Sequence, residues 1–151
     1  LGYNYRITDF QSALGISQLN RLEDFVEKRN KIARIYNSFF KKYKFMKIPS
    51  VSKEVYHAYH IYPLQVNFSK TRLKKSVLFN RLKKRNIILQ VHYIPIHLQP
   101  YYKKNFIIDK KTLNNSLEFY RNECSLPIFP DLKLRTVEKI CDAIISQIET
   151  H

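Results

Sequence analysis

Apolar residues recur at three- and four-residue steps near the start of the chain, which is the spacing of one face of an α-helix. The pattern runs from residue 8 to about residue 43 and comprises Leu19, Leu22, Phe25, Val26, Ile32, Ala33, Tyr36, Phe39 and Phe40. Neither proline nor glycine interrupts it after Gly15. The sequence therefore predicts one long amphipathic helix, of a length suited to connecting two domains or lining a subunit interface.

The start of this helix carries a polar signal. Thr8 is followed three residues later by Gln11, an arrangement in which each side chain can bond the backbone N–H of the other residue. Directly before it stands the cluster Gly2, Tyr3, Asn4, Tyr5 and Arg6. Residue types leave two interpretations open. Asn4 and Arg6 are held in place for an anionic ligand, or this is an ordinary loop before a capped helix.

The remainder of the chain alternates between patterns typical of strands and of helices. Pro63 cannot donate to a strand ladder, which indicates an edge position or a bulge, and Asn86 is expected to end a helix in the left-handed conformation. Asn115 or Ser116 is a candidate cap for a short helix. The predicted strands are 56–68, 87–91 and 124–128, and the predicted helices are 71–85, 116–121 and 134–148.

This order predicts an α/β fold, more narrowly a small α+β domain in which a modest sheet carries helices and a long helix precedes it. We divide the chain into residues 1–45, an arm and long helix, and residues 46–151, the small domain. The apolar stripe of the last helix makes Cys141 a candidate core residue. Cys124 is the only other cysteine in the sequence, so a disulfide framework is not expected.

Composition and charge narrow the function classes. A content of 44% hydrophobic residues argues against disorder, and no apolar run approaches the roughly 20 residues that span a bilayer. We find no signal peptide, so a cytoplasmic location without membrane contact is expected. The net charge of +15 attracts nucleic acid or phosphorylated molecules. Because the lysines are spread along the chain with acids among them, we favour a solvated surface over a nucleic-acid interface.

A second polar cluster follows the strand predicted at residues 87–91. It reads His92, Tyr93, Ile94, Pro95, Ile96, His97, Leu98, Gln99, Pro100, Tyr101 and Tyr102. Its prolines prevent helix formation, so the two histidines do not share a helix face as zinc pairs usually do, and no metal is expected. Neither cysteine has a context that would activate it as a nucleophile. The loop can instead place donors, acceptors and ring faces around a polar substrate such as a sugar, or form a rigid loop without a ligand.

Four stretches carry a resemblance to a known family. The first stretch lies within the first 19 residues and contains GYNYR and DFQSALGISQL. The other three are YHIYPLQV at 59–66, VHYIPIHLQPYY at 91–102 and FYRNECSLPIFPDL at 119–132. Together they resemble the pyridoxal-phosphate-dependent sugar-nucleotide aminotransferases of the DegT/StrS type, over essentially the whole chain. The loop at 91–102 is similar to that of the subgroup that aminates UDP-linked 4-keto-6-deoxy sugars. The implied fold is the C-terminal part of the aspartate-aminotransferase fold.

The resemblance implies roles for particular residues. Asn4 would bind the phosphate of pyridoxal 5′-phosphate in the neighbouring active site of a homodimer, and Arg6 would lie near the phosphates of the substrate. His60 would stand at the rim of the site, and His92, Tyr93 and His97 would contact the nucleotide sugar. The amino donor would be an amino acid such as glutamate.

The lysine that holds the cofactor in this family stands in a motif that this sequence lacks. We therefore assign no catalytic residue here and expect that lysine upstream of Leu1, so that the chain by itself would be inactive and would bind no cofactor. Two alternatives stay open. One is a basic nucleic-acid-binding module that uses the Lys/Arg helix near Lys84, and the other is a non-catalytic dimerisation domain.

Overall fold

Six α-helices and three short β-strands form in the part of the chain that the structure describes. This computed structural model describes residues 2–107, 109 and 112–149. In chain order the elements are α1 (Asp9–Leu19), α2 (Leu22–Phe40), β1 (Met46–Lys47), β2 (Tyr62–Val66), α3 (Lys75–Lys83), α4 (Pro100–Asn105), α5 (Asn114–Asn122), β3 (Glu123–Leu126) and α6 (Leu134–Glu149). Single 3₁₀ turns occupy Phe68–Lys70 and Ile96–Leu98. None of the helices in the described ranges combines the length and apolarity needed to cross a bilayer.

The single helix predicted over residues 8–43 is wrong, because the structure has two helices with a turn between them. The Arg21 N–H donates to the Gln18 carbonyl at 3.1 Å, a three-residue step that tightens the backbone and ends α1. Asn20, at this turn, is a weak helix former. Because α1 buries none of its residues, no packing compensates for that weakness. The periodicity continued through the turn, so the sequence pattern did not reveal it.

The sheet is antiparallel, with strand order β1-β2-β3. Tyr62, Leu64 and Val66 of β2 are fully buried, which confirms the predicted alternation. The strand predicted at 56–68 is nevertheless too long, because Tyr59 has a φ of 45° and extended pairing cannot pass through that conformation. The predicted edge position of Pro63 is not found, because β2 is the middle strand of the sheet. β1 pairs only with residues 65 and 66, however, so Pro63 has no strand partner on the β1 side.

Other predicted boundaries also change. The strand predicted at 87–91 is only an isolated bridge between Gln90 and Ser125, and the strand predicted at 124–128 is Glu123–Leu126. The helix predicted at 71–85 begins later, because Lys74 is extended. Neither Asn115 nor Ser116 caps α5, whose N-cap is Leu113 without a side-chain bond. The left-handed conformation of Asn86 is confirmed, with φ of 59°.

One hydrophobic core joins the sheet to α2, α3 and α6. The predicted stripe of α6 is confirmed, and Cys141 is fully buried within it. Both cysteines are free and buried. The hydroxyl of Tyr36 donates to the Pro127 carbonyl at 2.8 Å, and that of Tyr62 donates to Asn37 Oδ1 at 2.6 Å. These bonds keep the two tyrosines satisfied inside the core. The division of the chain at residue 45 stays a prediction.

Two helical leucines test the contrast between this core and α1. Leu78 on α3 is 0% exposed and Leu14 on α1 is 55% exposed. We expect Leu78→Ala to lower the free energy of unfolding by about 3 kcal/mol, through lost burial and a residual cavity. Leu14→Ala should change it by less than about 0.5 kcal/mol. Urea unfolding followed by circular dichroism measures both values, and equal losses would contradict the placement of α1 outside the core.

Candidate functional site

The loop that follows Gln90 forms one wall of an open cleft of about 590 Å³. His92, Tyr93 and His97 all line it, so the structure brings together three of the predicted site residues. The opposite side is aromatic and aliphatic, with a single hydroxyl from α5. The remaining lining residues are Ile94, Pro95, Ile96, Tyr102, Phe106, Leu113, Ser116 and Phe119.

His92 also lines a second cleft, of about 330 Å³. This cleft contains His60, so four of the five predicted substrate contacts, all except Arg6, lie along two neighbouring clefts that share His92. Its floor comes from β3 and from the segment that follows it. The other lining residues are Ile61, Ile88, Gln90, Ser125, Leu126, Pro127, Ile128 and Phe129.

The segment before β2 is held in place by α2. Arg29 Nη1 donates to the carbonyls of Tyr59 and His60, at 3.1 and 3.0 Å, and Asn30 Nδ2 donates to the carbonyl of His57 at 2.9 Å. These bonds fix the backbone that carries His60 while its side chain remains exposed. The sequence pattern did not indicate this role for Arg29.

A buried polar pair beneath His92 was also missed. Glu123 is 0% exposed and Ser125 is 4% exposed, and both belong to β3. The backbone N–H of His92 donates to Glu123 Oε2 at 3.1 Å, and His92 Nδ1 lies 2.7 Å from Ser125 Oγ. Ser125 Oγ in turn donates to Glu123 Oε1. The available signal was a carboxylate at the start of a buried strand, since such a charge is rarely buried without partners.

Lys75 supplies positive charge near this pair. Its Nζ donates to the carbonyl of Tyr120 at 2.8 Å and lies over the Tyr120 ring. Partial burial lowers the pKa of the Lys75 ammonium, while the negative charge of Glu123 acts in the opposite direction. The ammonium of Lys75 therefore lies close enough to the buried carboxyl group of Glu123 to interact with it electrostatically.

Asn4 and Arg6 lie outside both clefts. They are exposed in the segment before α1, which has no regular secondary structure, and the predicted capping arrangement of Thr8 and Gln11 is confirmed. Thr8 Oγ1 accepts the N–H of Gln11 at 3.3 Å, and Gln11 Oε1 accepts the N–H of Thr8 at 2.9 Å. Within the described residues the side chains of Asn4 and Arg6 have no hydrogen-bond partner, so their donors are available to a ligand.

The clefts offer hydrogen bonding and ring faces to a ligand. Among the described residues, no three histidine, cysteine or acidic side chains converge as metal ligands would. Burial raises the pKa of both Cys124 and Cys141 from 9.0 to about 12. Both therefore remain protonated thiols at neutral pH, which is the unreactive form.

Comparison with known proteins assigns this architecture. Residues 1–145 match the model of the DegT/DnrJ/EryC1/StrS aminotransferase family. The chain belongs to this family. The family resemblance drawn from the four sequence stretches is thereby confirmed.

Two relatives illustrate the range of the similarity. The spore coat polysaccharide biosynthesis protein SpsC of Bacillus subtilis is 35% identical over 95% of this chain and 37% of its own length. The UDP-4-amino-4,6-dideoxy-N-acetyl-β-L-altrosamine transaminase of Campylobacter jejuni is 34% identical over 99% of this chain and 39% of its own length. The chain thus spans less than two fifths of the length of these relatives.

Solved structures agree with the fold. Helicobacter pylori PseC, an aminotransferase involved in the biosynthesis of pseudoaminic acid, matches with a TM-score of 0.85 and 29% identity, over 100% of this chain and 40% of its own. Spr1654 of Streptococcus pneumoniae, described as a sugar aminotransferase and solved in its PLP form, matches with a TM-score of 0.84 and 25% identity, over 96% and 36%. The predicted fold class, a small α/β domain of the aminotransferase fold, is confirmed.

The cysteine assignment predicts a protected thiol pair. Alkylation by iodoacetamide at pH 9 should be at least about two orders of magnitude slower in the folded chain than in urea, because a pKa near 12 leaves little thiolate and burial restricts access. Mass spectrometry of quenched samples measures the rate at each cysteine. A native rate equal to the unfolded rate at either site would show an accessible thiolate and contradict the assignment.

Proposed function

We propose that this chain is the C-terminal portion of a pyridoxal-phosphate-dependent aminotransferase that aminates a nucleotide-linked 4-keto-6-deoxy sugar. The nucleotide is UDP and the amino donor is an amino acid such as glutamate. The observation that carries the proposal is family membership over residues 1–145. The relative from Campylobacter jejuni, named as a transaminase of a UDP-linked amino sugar, supports the substrate class.

The chemistry of the clefts supports a sugar ligand. His92, Tyr93 and His97 line the larger cleft, while His60 and His92 line the smaller one. Imidazole and phenol groups both donate and accept hydrogen bonds, and the surrounding rings can pack on the apolar faces of a pyranose. In the proposal these four side chains bind and orient the sugar rather than react with it.

The segment before α1 supplies phosphate contacts to the neighbouring subunit. Asn4 offers amide N–H donors and Arg6 offers a guanidinium, both exposed and without partners within the described residues, so this donor set fits phosphate groups. In the proposal Asn4 contacts the cofactor phosphate and Arg6 contacts the substrate phosphates. When bound, pyridoxal phosphate supplies the electron sink for amino transfer. No residue of this chain is assigned as the proton carrier.

The exposed apolar residues of α1 support a homodimer. Phe10, Leu14, Ile16 and Leu19 are all more than half exposed, and this much exposed apolar surface on one short helix is typical of an interface. Docking of a second copy would cover it and bring the partner's Asn4 and Arg6 to the clefts of this chain. The cytoplasmic location stays a prediction.

The intact protein encoded by the complete open reading frame tests the proposal. Incubated with pyridoxal phosphate, glutamate and a UDP-4-keto-6-deoxy sugar, it should form the amino sugar, measured by mass spectrometry. We expect Asn4→Ala to weaken cofactor binding about tenfold, because one charge-assisted hydrogen bond is lost. His92→Gln should raise KM for the sugar more than it lowers kcat.

Arg85→Gln serves as a control, since Arg85 is exposed just after α3 and lines neither of the two clefts. It should leave cofactor binding and KM unchanged. If the protein forms no amino sugar from any UDP-linked 4-keto sugar, the proposed substrate class is contradicted. Tight, steeply salt-dependent binding of a DNA duplex without transaminase activity would favour the nucleic-acid module instead.

A further inference from the structure

The carboxylate of Glu123 is the most deeply buried charge in the described residues, and its two oxygens have different partners. Oε2 accepts the backbone N–H of His92 at 3.1 Å, and Oε1 accepts the hydroxyl of Ser125. A backbone N–H can only donate, so Oε2 must be an acceptor. Both carboxyl oxygens therefore act as acceptors, Oε2 for the His92 N–H and Oε1 for the Ser125 hydroxyl.

The hydroxyl of Ser125 determines the state of the histidine ring above it. A serine hydroxyl carries one hydrogen and two lone pairs. Since its hydrogen is directed to Glu123 Oε1, its contact of 2.7 Å with His92 Nδ1 must be one in which Ser125 Oγ accepts. The hydrogen of that bond must therefore be on Nδ1.

We propose that Glu123 and Ser125 are positioning residues that hold neutral His92 in the Nδ1–H form, so that Nε2 presents a lone pair to the two clefts. Within the described residues Nε2 has no hydrogen-bond partner, and the His92 side chain lines both clefts. A neutral imidazole has one donor and one acceptor nitrogen, and the hydrogen bond made by one nitrogen decides the role of the other.

The consequence is a defined ligand preference. An acceptor nitrogen in the cleft selects a ligand that presents a donor there, such as a sugar hydroxyl or an amide N–H, and disfavours a ligand that presents only an acceptor. This part of the inference rests on the proposed function, because it takes the clefts as the sugar site. The tautomer itself depends only on the contacts among Glu123, Ser125 and His92.

Long-range ¹H–¹⁵N spectra of the ¹⁵N-labelled chain test the tautomer directly, since protonated and unprotonated ring nitrogens have clearly different shifts. The pH is raised until the ring shifts reach their neutral plateau, and His92→Asn identifies the His92 signals. We expect Nδ1 of His92 to carry the hydrogen and Nε2 to be bare. A bare Nδ1, or an equal mixture of tautomers, would overturn the proposal.

His57 is an internal control of the opposite kind. Its Nδ1 accepts the backbone N–H of Tyr59 at 2.9 Å, so its neutral ring must carry the hydrogen on Nε2. The same spectrum should therefore show His57 and His92 as opposite tautomers. If both rings are in the Nε2–H form, the result for His57 shows that the measurement works and the result for His92 overturns the proposal.

Two variants test the two positioning residues separately. In Glu123→Gln, the amide oxygen can accept the His92 N–H and the amide NH₂ then donates to Ser125 Oγ. The serine hydroxyl is redirected to His92 Nδ1, and the ring should switch to the Nε2–H form. Ser125→Ala removes the partner of Nδ1 and should yield a mixture. If the ring keeps its Nδ1–H form in one of these variants, the positioning role of the substituted residue is overturned. The wild-type spectrum decides the tautomer even if a variant does not fold.

Binding separates this inference from the proposed function. In the intact protein, Glu123→Gln should raise the Kd for the UDP-4-keto-6-deoxy sugar about tenfold, the size expected for one mismatched hydrogen bond. Equal affinity of the two proteins would overturn the ligand preference. If the predicted tautomer is found but no UDP sugar binds the wild type, the proposed function fails while the positioning role stands.

Discussion

The carboxylate of Glu123 lies at the start of β3 with no access to solvent. A carboxyl group in that position must find hydrogen-bond partners, because leaving its oxygens unpaired in the core costs several kcal/mol. It finds them in the His92 backbone and the Ser125 hydroxyl. The same requirement that stabilises the buried charge also anchors the first residue of the histidine-rich loop to the sheet, so the position of both clefts depends on it.

The two ends of the site are supported in different ways. On one side, the loop at residues 92–102 is tied to β3 through Glu123. On the other, Arg29 and Asn30 of α2 bind the carbonyls of residues 57, 59 and 60. Both anchors come from elements that share the hydrophobic core. A rigid core therefore holds the cleft side chains, which is what precise recognition of a ligand requires.

The segment of residues 2–19 is ordered by local contacts and not by the core. Its order comes from local bonds, the reciprocal capping by Thr8 and Gln11 and the stacking of Tyr3 on Tyr5 with ring centroids 5.2 Å apart. It buries nothing in the core, and the large apolar residues of α1 are exposed. In our proposal this segment completes a site in a second copy of the chain.

The sequence by itself determined the features that depend on neighbours a few positions away. The capping of α1, the alternation in β2, the left-handed Asn86 and the inward stripe of α6 follow from local hydrogen bonds and from the periods of strands and helices. Motif resemblance also identified the family correctly. The roles proposed for Asn4, Arg6 and the cleft residues rest on that resemblance and stay predictions.

Tertiary structure decided the rest, since distant residues set it. The turn at Asn20 and Arg21 forms because α1 has no packing to hold it in line with α2, and the segment at 87–91 became a bridge because it pairs only at Gln90. The bond between the His92 N–H and Glu123 joins residues 31 positions apart. No local period contains such a contact, because a buried charge and its donor are brought together only when the core closes around them.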